Sequence, residues 1–185
     1  MAGVKIKNEN SWEILFQMRH HGIPTRLIDW STSFAVALYF ALNASRIKKP
    51  HIWILDPYEL SNKNEGSDIP TGLINPYYDL KNDYVELFVN QDEHPALKRP
   101  EFPLALYPPR NSSRIFAQQG VFTLHGTNPG KLEMVAPECL TKIEIPEDCL
   151  TEARKFLKLS GIHEYSIFPD FDGLSKHLKA IYNLK

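Results

Sequence analysis

His20-His21-Gly22-Ile23-Pro24-Thr25-Arg26-Leu27-Ile28-Asp29-Trp30-Ser31-Thr32-Ser33-Phe34-Ala35-Val36-Ala37-Leu38-Tyr39-Phe40-Ala41-Leu42 reads as a strand, a polar corner and a buried helix. Pro24 fixes the entry to a strand predicted over Thr25–Trp30. Alternate side chains of a strand share a face, so Thr25, Leu27, Asp29 and Ser31 point one way and Arg26, Ile28 and Trp30 the other. Ser31, Thr32 and Ser33 are three candidate N-caps for the helix that follows. That helix, from Phe34 to about Ser45, is apolar nearly all round and therefore belongs at the centre of a core.

On the N-terminal side, Asn10 with Glu13 three residues on makes a capping pair. A helix is expected from Ser11 to about His21, with Trp12, Leu15, Phe16 and Met18 as its inner stripe and Gly22 as its stop. Residues 1–9 are polar and expected to be disordered. On the C-terminal side, His51–Leu55 reads as a buried strand closed by Asp56-Pro57, and 56–75 as a long polar excursion. A short helix is expected over Asp83–Val89, then a Pro-rich crossing with a strand at Leu104–Tyr107. Ser112 or Ser113 caps a short helix through Gln119, with Gly120 as its stop. Strands follow at Val121–His125 and Leu140–Ile145, and amphipathic helices at Glu147–Leu159 and Gly173–Asn183. Helices and strands mixed in this order, with no internal repeat, predict one α+β domain.

Composition narrows the classes of function. The chain has 185 residues, 43% of them hydrophobic, enough for a real core, and a formal net charge of −1 with no basic block to grip a nucleic-acid backbone. Cys139 and Cys149 are its two cysteines, too few for a disulfide framework, which suggests reduced thiols and a cytoplasmic setting. The longest apolar run, Phe34–Leu42, is too short to span a bilayer, so no membrane partner is expected. There is no P-loop, no G-x-G-x-x-G, no G-x-S-x-G and no zinc signature, and no metal is expected.

Two constellations could carry chemistry. At the corner, Asp29 through Ser33 sets hydroxyls at a helix N-terminus, where unpaired N–H groups and the dipole favour an anion. The same hydroxyls equally serve as plain caps. Farther on, Arg114 and Gln118 share a helix face at i,i+4, a guanidinium and an amide suited to a phosphate, a carboxamide or a base edge. That stretch also reads as a simple helix end with Gly120 in the left-handed conformation. His20, His21 and His125 lack the paired spacing of a metal site.

The segment from His21 to Ser31, with the Ala-Leu-Tyr-Phe-Ala helix after it, resembles the central signature of the FRG domain. Arg114–Thr123 is similar to the second signature of that family, and Ile167–Leu174 to its C-terminal one. The Phe-Arg-Gly triplet that names the family does not occur in the chain, so residues 10–185 are expected to be an FRG-type domain lacking that segment, with an upstream chain or an antitoxin partner as a candidate source of the arginine. The order of motifs is similar to that of ADP-ribosyltransferases, which implies an ADP-ribosyltransferase-like mixed or antiparallel β core flanked by helices. It further implies a bacterial toxin or phage-defence effector that uses NAD+ as a substrate and modifies a protein, RNA or DNA acceptor. In that reading His21, Thr25, Arg26, Ser31, Thr32, Ser33 and Arg114 bind the dinucleotide. Gln118 or Gln119 holds its ribose, and Asp29 stands in for the family's carboxylate against an oxocarbenium-like state. The alternatives are a non-catalytic FRG-type module that binds a nucleotide or a partner, and a purely structural use of the polar corner.

Overall fold

The computed structural model of the chain describes residues 11–44, 49–64, 74–76, 100–108, 110 and 112–184. The expected N-terminus 1–9, the Asn10 cap and the helix over Asp83–Val89 lie outside the described residues. Within them the chain is α+β, with helices around small antiparallel sheets, as the element pattern predicts. The elements fall into two compact units, each gathered from three stretches of sequence.

The first unit draws on Met1–Ile28, Pro57–Tyr107 and Phe122–Ala136. Helix α1 (Ser11–His20) buries Trp12, Leu15 and Phe16 and stops at Gly22, whose φ of 76° suits a residue without a side chain. Strand β1 covers Leu27–Ser31, starting two residues later than predicted. The chain before it is drawn into a local turn, in which the Thr25 hydroxyl accepts the Leu27 N–H at 3.2 Å. Helix α2 (Phe34–Asn43) and strand β2 (His51–Leu55), next in the chain, belong to the second unit. Pro57–Asn62, placed in a loop by its turn residues, forms helix α3, with Pro57 at its first position. Strand β3 (Leu104–Leu106) pairs antiparallel with β4 (Gly120–Leu124), Ala105 opposite Thr123. The three-stranded order is β1-β4-β3. Bonds from His125 N–H to the Arg26 carbonyl and from Thr32 N–H to the Gln119 carbonyl close the two ends of the β1–β4 ladder and make it antiparallel. Trp12, Leu15, Phe16, Leu27, Ile74, Leu104, Leu106, Phe122 and Leu124 form one core. Buried Asn64 accepts the Phe102 N–H at 3.0 Å and donates to the Phe102 carbonyl at 3.1 Å, so both backbone groups of Phe102, beside Pro103, are satisfied.

The second unit draws on Asp29–Asp56, Pro108–Val121 and Pro137–Lys185. Here β2 pairs antiparallel with β5 (Leu140–Glu144), Trp53 opposite Lys142. Helices α4 (Ser113–Ala117), α6 (Leu150–Leu159), α7 (Glu164–Ile167) and α8 (Phe171–Tyr182) belong to it; α5 (Leu132–Val135) belongs to the first unit. Its core gathers Val36, Leu38, Tyr39 and Leu42 from α2 with Ile52, Leu157 and Ile167. Strand β2 is less buried than its composition predicts. Ile52 enters the core, while Trp53 and Ile54 stay open on a sheet of only two strands. Short helices α5 and α7 carry too few residues to show a period and were not legible in the sequence.

Candidate functional site

The polar corner belongs to the second unit. Strand β1 ends on Ser31, whose hydroxyl donates to the Gln118 carbonyl at 2.7 Å and accepts the Ser33 N–H at 3.0 Å. Thr32 donates its backbone N–H to the Gln119 carbonyl at 3.1 Å, and its hydroxyl lies 3.3 Å from the Gln119 side-chain oxygen. Of the three candidate caps, Ser33 holds the helix: extended at φ −108°, it accepts the Val36 N–H at 3.4 Å. The two expected segments therefore meet directly, hydroxyl to carbonyl.

Helix α4 is capped by Ser112, whose hydroxyl accepts the Ile115 N–H at 3.3 Å. The expected left-handed stop at Gly120 is corrected. Gln119 adopts that conformation, with φ 47°, and Gly120 is the first residue of β4. The reason is positional: the Gln119 carbonyl must meet the Thr32 N–H, so the reversal falls on the residue before the strand. A non-glycine residue there carries about 1–2 kcal/mol of backbone strain.

Arg114 and Gln118 do share a face, and that face is turned on the third motif. Gln118 Nε2 donates to the Ile167 carbonyl at 3.2 Å, and the Arg114 guanidinium carbon sits 4.9 Å from the Phe168 ring centre. Phe40 of α2 meets the same Phe168 ring edge-on at 6.0 Å. In the third motif Asp170 caps α8 by accepting the Gly173 N–H at 2.7 Å. All three motifs thus join around Gln118 and Phe168, and the bonds that join them run to backbone carbonyls.

The remaining candidates stand elsewhere. Asp29 is exposed on β1 in the second unit. His21, Thr25 and Arg26 belong to the first unit. His21 is exposed and stacks on His20 with ring centres 5.1 Å apart. Burial, and after it the Arg26 charge, holds the His125 imidazole below its usual pKa.

Sequence reasoning missed a second polar cluster. Tyr39, in the apolar face of α2, donates a short hydrogen bond to Glu164, which also accepts from Lys176 at 3.1 Å. Burial, and then the Glu164 carboxylate, pushes the Tyr39 phenol well above its ordinary pKa. Burial opposes the charged Glu164, but the bonds from Tyr39 and Lys176 outweigh it and hold the carboxyl low. Beside them, His163 caps α7 by accepting the Ser166 N–H on Nδ1 at 3.2 Å, and its ring stacks on His177 at 3.8 Å. Tyr39 and Glu164 are 125 residues apart, so no local spacing announces the pair.

The second unit also holds an open groove of about 390 Å³. Phe34 and Leu38 of α2, Ile143 and Ile145, and Ala153 and Phe156 of α6 line it, with Glu144 and Glu152 as its acids. Ser31, Thr32, Arg114, Gln118 and Gln119 are not among its walls. Cys139 is buried and Cys149, at the groove, is exposed; both are free thiols. Among the described residues, no group of three or more His, Cys, Asp or Glu side chains is placed to hold a metal ion, and no helix is long and apolar enough to cross a membrane.

The family model of the FRG domain matches residues 2–49, a stretch that includes α1, β1, the corner and α2. This stretch carries the signature of the FRG domain, as its motif predicts. No curated protein and no solved structure matches the chain.

Proposed function

We propose that the chain is a non-catalytic binding module of FRG type, in which the three motifs fasten the scaffold and the groove of the second unit takes a partner polypeptide. The observation that carries this reading is the commitment of the corner. The one hydroxyl proton of Ser31 goes to the Gln118 carbonyl, and the Gln118 amide goes to the Ile167 carbonyl. A hydroxyl has a single proton to donate, so a ribose or phosphate at this point would have to displace a bond that holds the motifs together. The groove has the opposite character: its walls are apolar, its two carboxylates make only exposed pairs, Glu144 with Lys142 at 3.0 Å and Glu152 with Lys155 at 3.6 Å, and neither lysine is in its lining. Such a surface suits a segment with apolar anchors and a Lys or Arg beside them.

Fluorescence-anisotropy titration of the whole chain against amphipathic peptides, basic and acidic on the same apolar pattern, tests this. The basic peptide binds, the acidic one binds more weakly, and Phe156→Asp abolishes binding. Equal binding of both peptides, or of neither, overturns the reading.

A second reading keeps the enzyme: an effector of toxin or phage-defence type, in a cytoplasmic setting, transferring ADP-ribose from NAD+ to a protein, RNA or DNA acceptor, with an upstream chain or antitoxin as its partner. The exposed edge of Thr32 and Gln119, at the end of a strand that also carries exposed Asp29, favours it. Nicotinamide release from labelled NAD+ is its signature.

A further inference from the structure

The last helix is fastened by one side to the short helix before it. Gly173, Lys176 and His177, at spacings of three and four from the first, share a face of α8. Gly173 is pressed on Phe168 at the end of α7, and Lys176 is bonded to Glu164 at 3.1 Å. The His177 ring lies on the His163 ring, with centres 3.8 Å apart and planes 12° from parallel. His163 is also the cap of α7. Its Nδ1 takes the Ser166 N–H at 3.2 Å, and its own backbone N–H goes to the Ser166 hydroxyl at 2.8 Å. The first of these bonds requires a neutral ring with its proton on Nε2. One imidazole thus closes the cap of α7 and carries the stack that holds α8.

We propose that this junction is an acid-released latch: neutral His163 holds the last helix on α7, and protonation of His163 lets it go. A protonated Nδ1 is a donor facing the Ser166 N–H, so the cap is lost. The new charge also lies flat against a second base, His177. The charges around the junction do not offset this. They are Glu164 of α7, Asp170 of the turn, Lys176 of α8 and the Tyr39 phenol of α2, with Arg114 of α4 on the Phe168 ring. Glu164 is taken by Tyr39 and Lys176, and Asp170 by the Gly173 N–H. Among the described residues no carboxylate is bonded to either imidazole. Burial, and then His177, hold the His163 ring below its ordinary pKa, so the released chain takes the proton first. The latch is therefore closed above a pH of about 6.5 and loosens as pH falls below it. Without the stack, the Lys176–Glu164 pair, exposed on its lysine side, holds little. A 12-residue helix that has lost its support is marginal in water, so release also frays α8. Because the Gln118 amide bonds the Ile167 carbonyl of α7, the latch reaches the joint of the three motifs.

An NMR titration of the full chain between pH 7.5 and 5.5 tests it, following the His163 ring protons together with the backbone amides and their exchange protection. In the wild type the amides of α8 shift with the same midpoint as the His163 ring. They lose protection while those of α2 and α6 keep theirs. His163→Asn keeps a capping acceptor without the titration, so its α8 protection no longer changes over that range. Wild-type α8 amides that stay protected at pH 5.5 overturn the proposal. So does an amide midpoint different from that of the His163 ring. An acid loss in His163→Asn equal to that of the wild type overturns it as well, and so does a loss that α2 and α6 share at the same pH, which is unfolding of the whole unit.

Discussion

Gly173→Ala should destabilise the protein, although the general rule for helices has the opposite sign. Replacing a helical glycine by alanine ordinarily gains close to about 1 kcal/mol by narrowing the unfolded ensemble. Gly173 lies in the first turn of α8, where its N–H donates to Asp170 and where the Asp170 N–H in turn meets the Phe168 carbonyl at 2.9 Å. A methyl group at Gly173 would overlap the Phe168 carbonyl oxygen and lie 2.9 Å from the Phe168 Cβ. The obstacle is backbone in a tight turn and cannot swing aside as a side-chain tip does. Overpacking of this kind costs about 1–3 kcal/mol, and loosening the Asp170 cap adds about 1 kcal/mol, so the propensity gain is outweighed and a net loss of about 2 kcal/mol is expected. The shift also moves the Phe168 ring on which Arg114 and Phe40 rest. Urea unfolding followed by circular dichroism measures the loss, with Ser175→Ala on the exposed part of the same helix as a near-neutral control. A higher urea midpoint for Gly173→Ala would refute the close approach of Gly173 to Phe168.

Three further outcomes follow from the same geometry. Gln119→Gly relieves a left-handed residue and should stabilise by about 1 kcal/mol in thermal melts; a loss of stability would mean that the Gln119 side chain does more than cover a reversal. Tyr39→Phe removes a donor from Glu164 and should cost about 1–3 kcal/mol in urea unfolding, while an unchanged midpoint would dispose of that bond. His163 accepts a bond on Nδ1, and burial, then the charge of His177, holds its pKa below the usual value of about 6.5. The unfolded chain therefore takes up a proton first, and this contribution to stability is present above that pH and is lost as pH falls through it. His163→Asn keeps a capping acceptor without the titration, so its melting temperature should fall less between pH 7.5 and 5.5 than that of the wild type; equal falls would remove His163 from the acid response.

The parts of the fold that were legible in the sequence are those with a period or a punctuating residue. The stripe of Trp12, Leu15 and Phe16 with Gly22, the run His51–Leu55 and the alternation of Leu140–Ile145 each declare an element within a few residues. Where tertiary contacts decide, the reading slips. The reversal belongs at Gln119 rather than Gly120 because of a hydrogen bond to Thr32, a residue 87 positions away. The convergence of Ser31 with Gln118 was legible through their motifs, but the direction of their protons was not, since a hydroxyl that caps and one that binds a ligand are the same letter. The Tyr39–Glu164–Lys176 cluster was hidden because a tyrosine in an apolar helix reads as core until its distant acceptor is seen.

The bond between Ser31 and Gln118 joins the first two motifs, and nicotinamide release from labelled NAD+, measured on wild type and on Ser31→Ala side by side with their melting temperatures, tests that structural role most directly. Neither protein should release nicotinamide, and the variant should melt at a lower temperature, in keeping with a loss of about 1 kcal/mol. Release by the wild type that disappears in a variant of unchanged stability would contradict it and return the corner to catalysis.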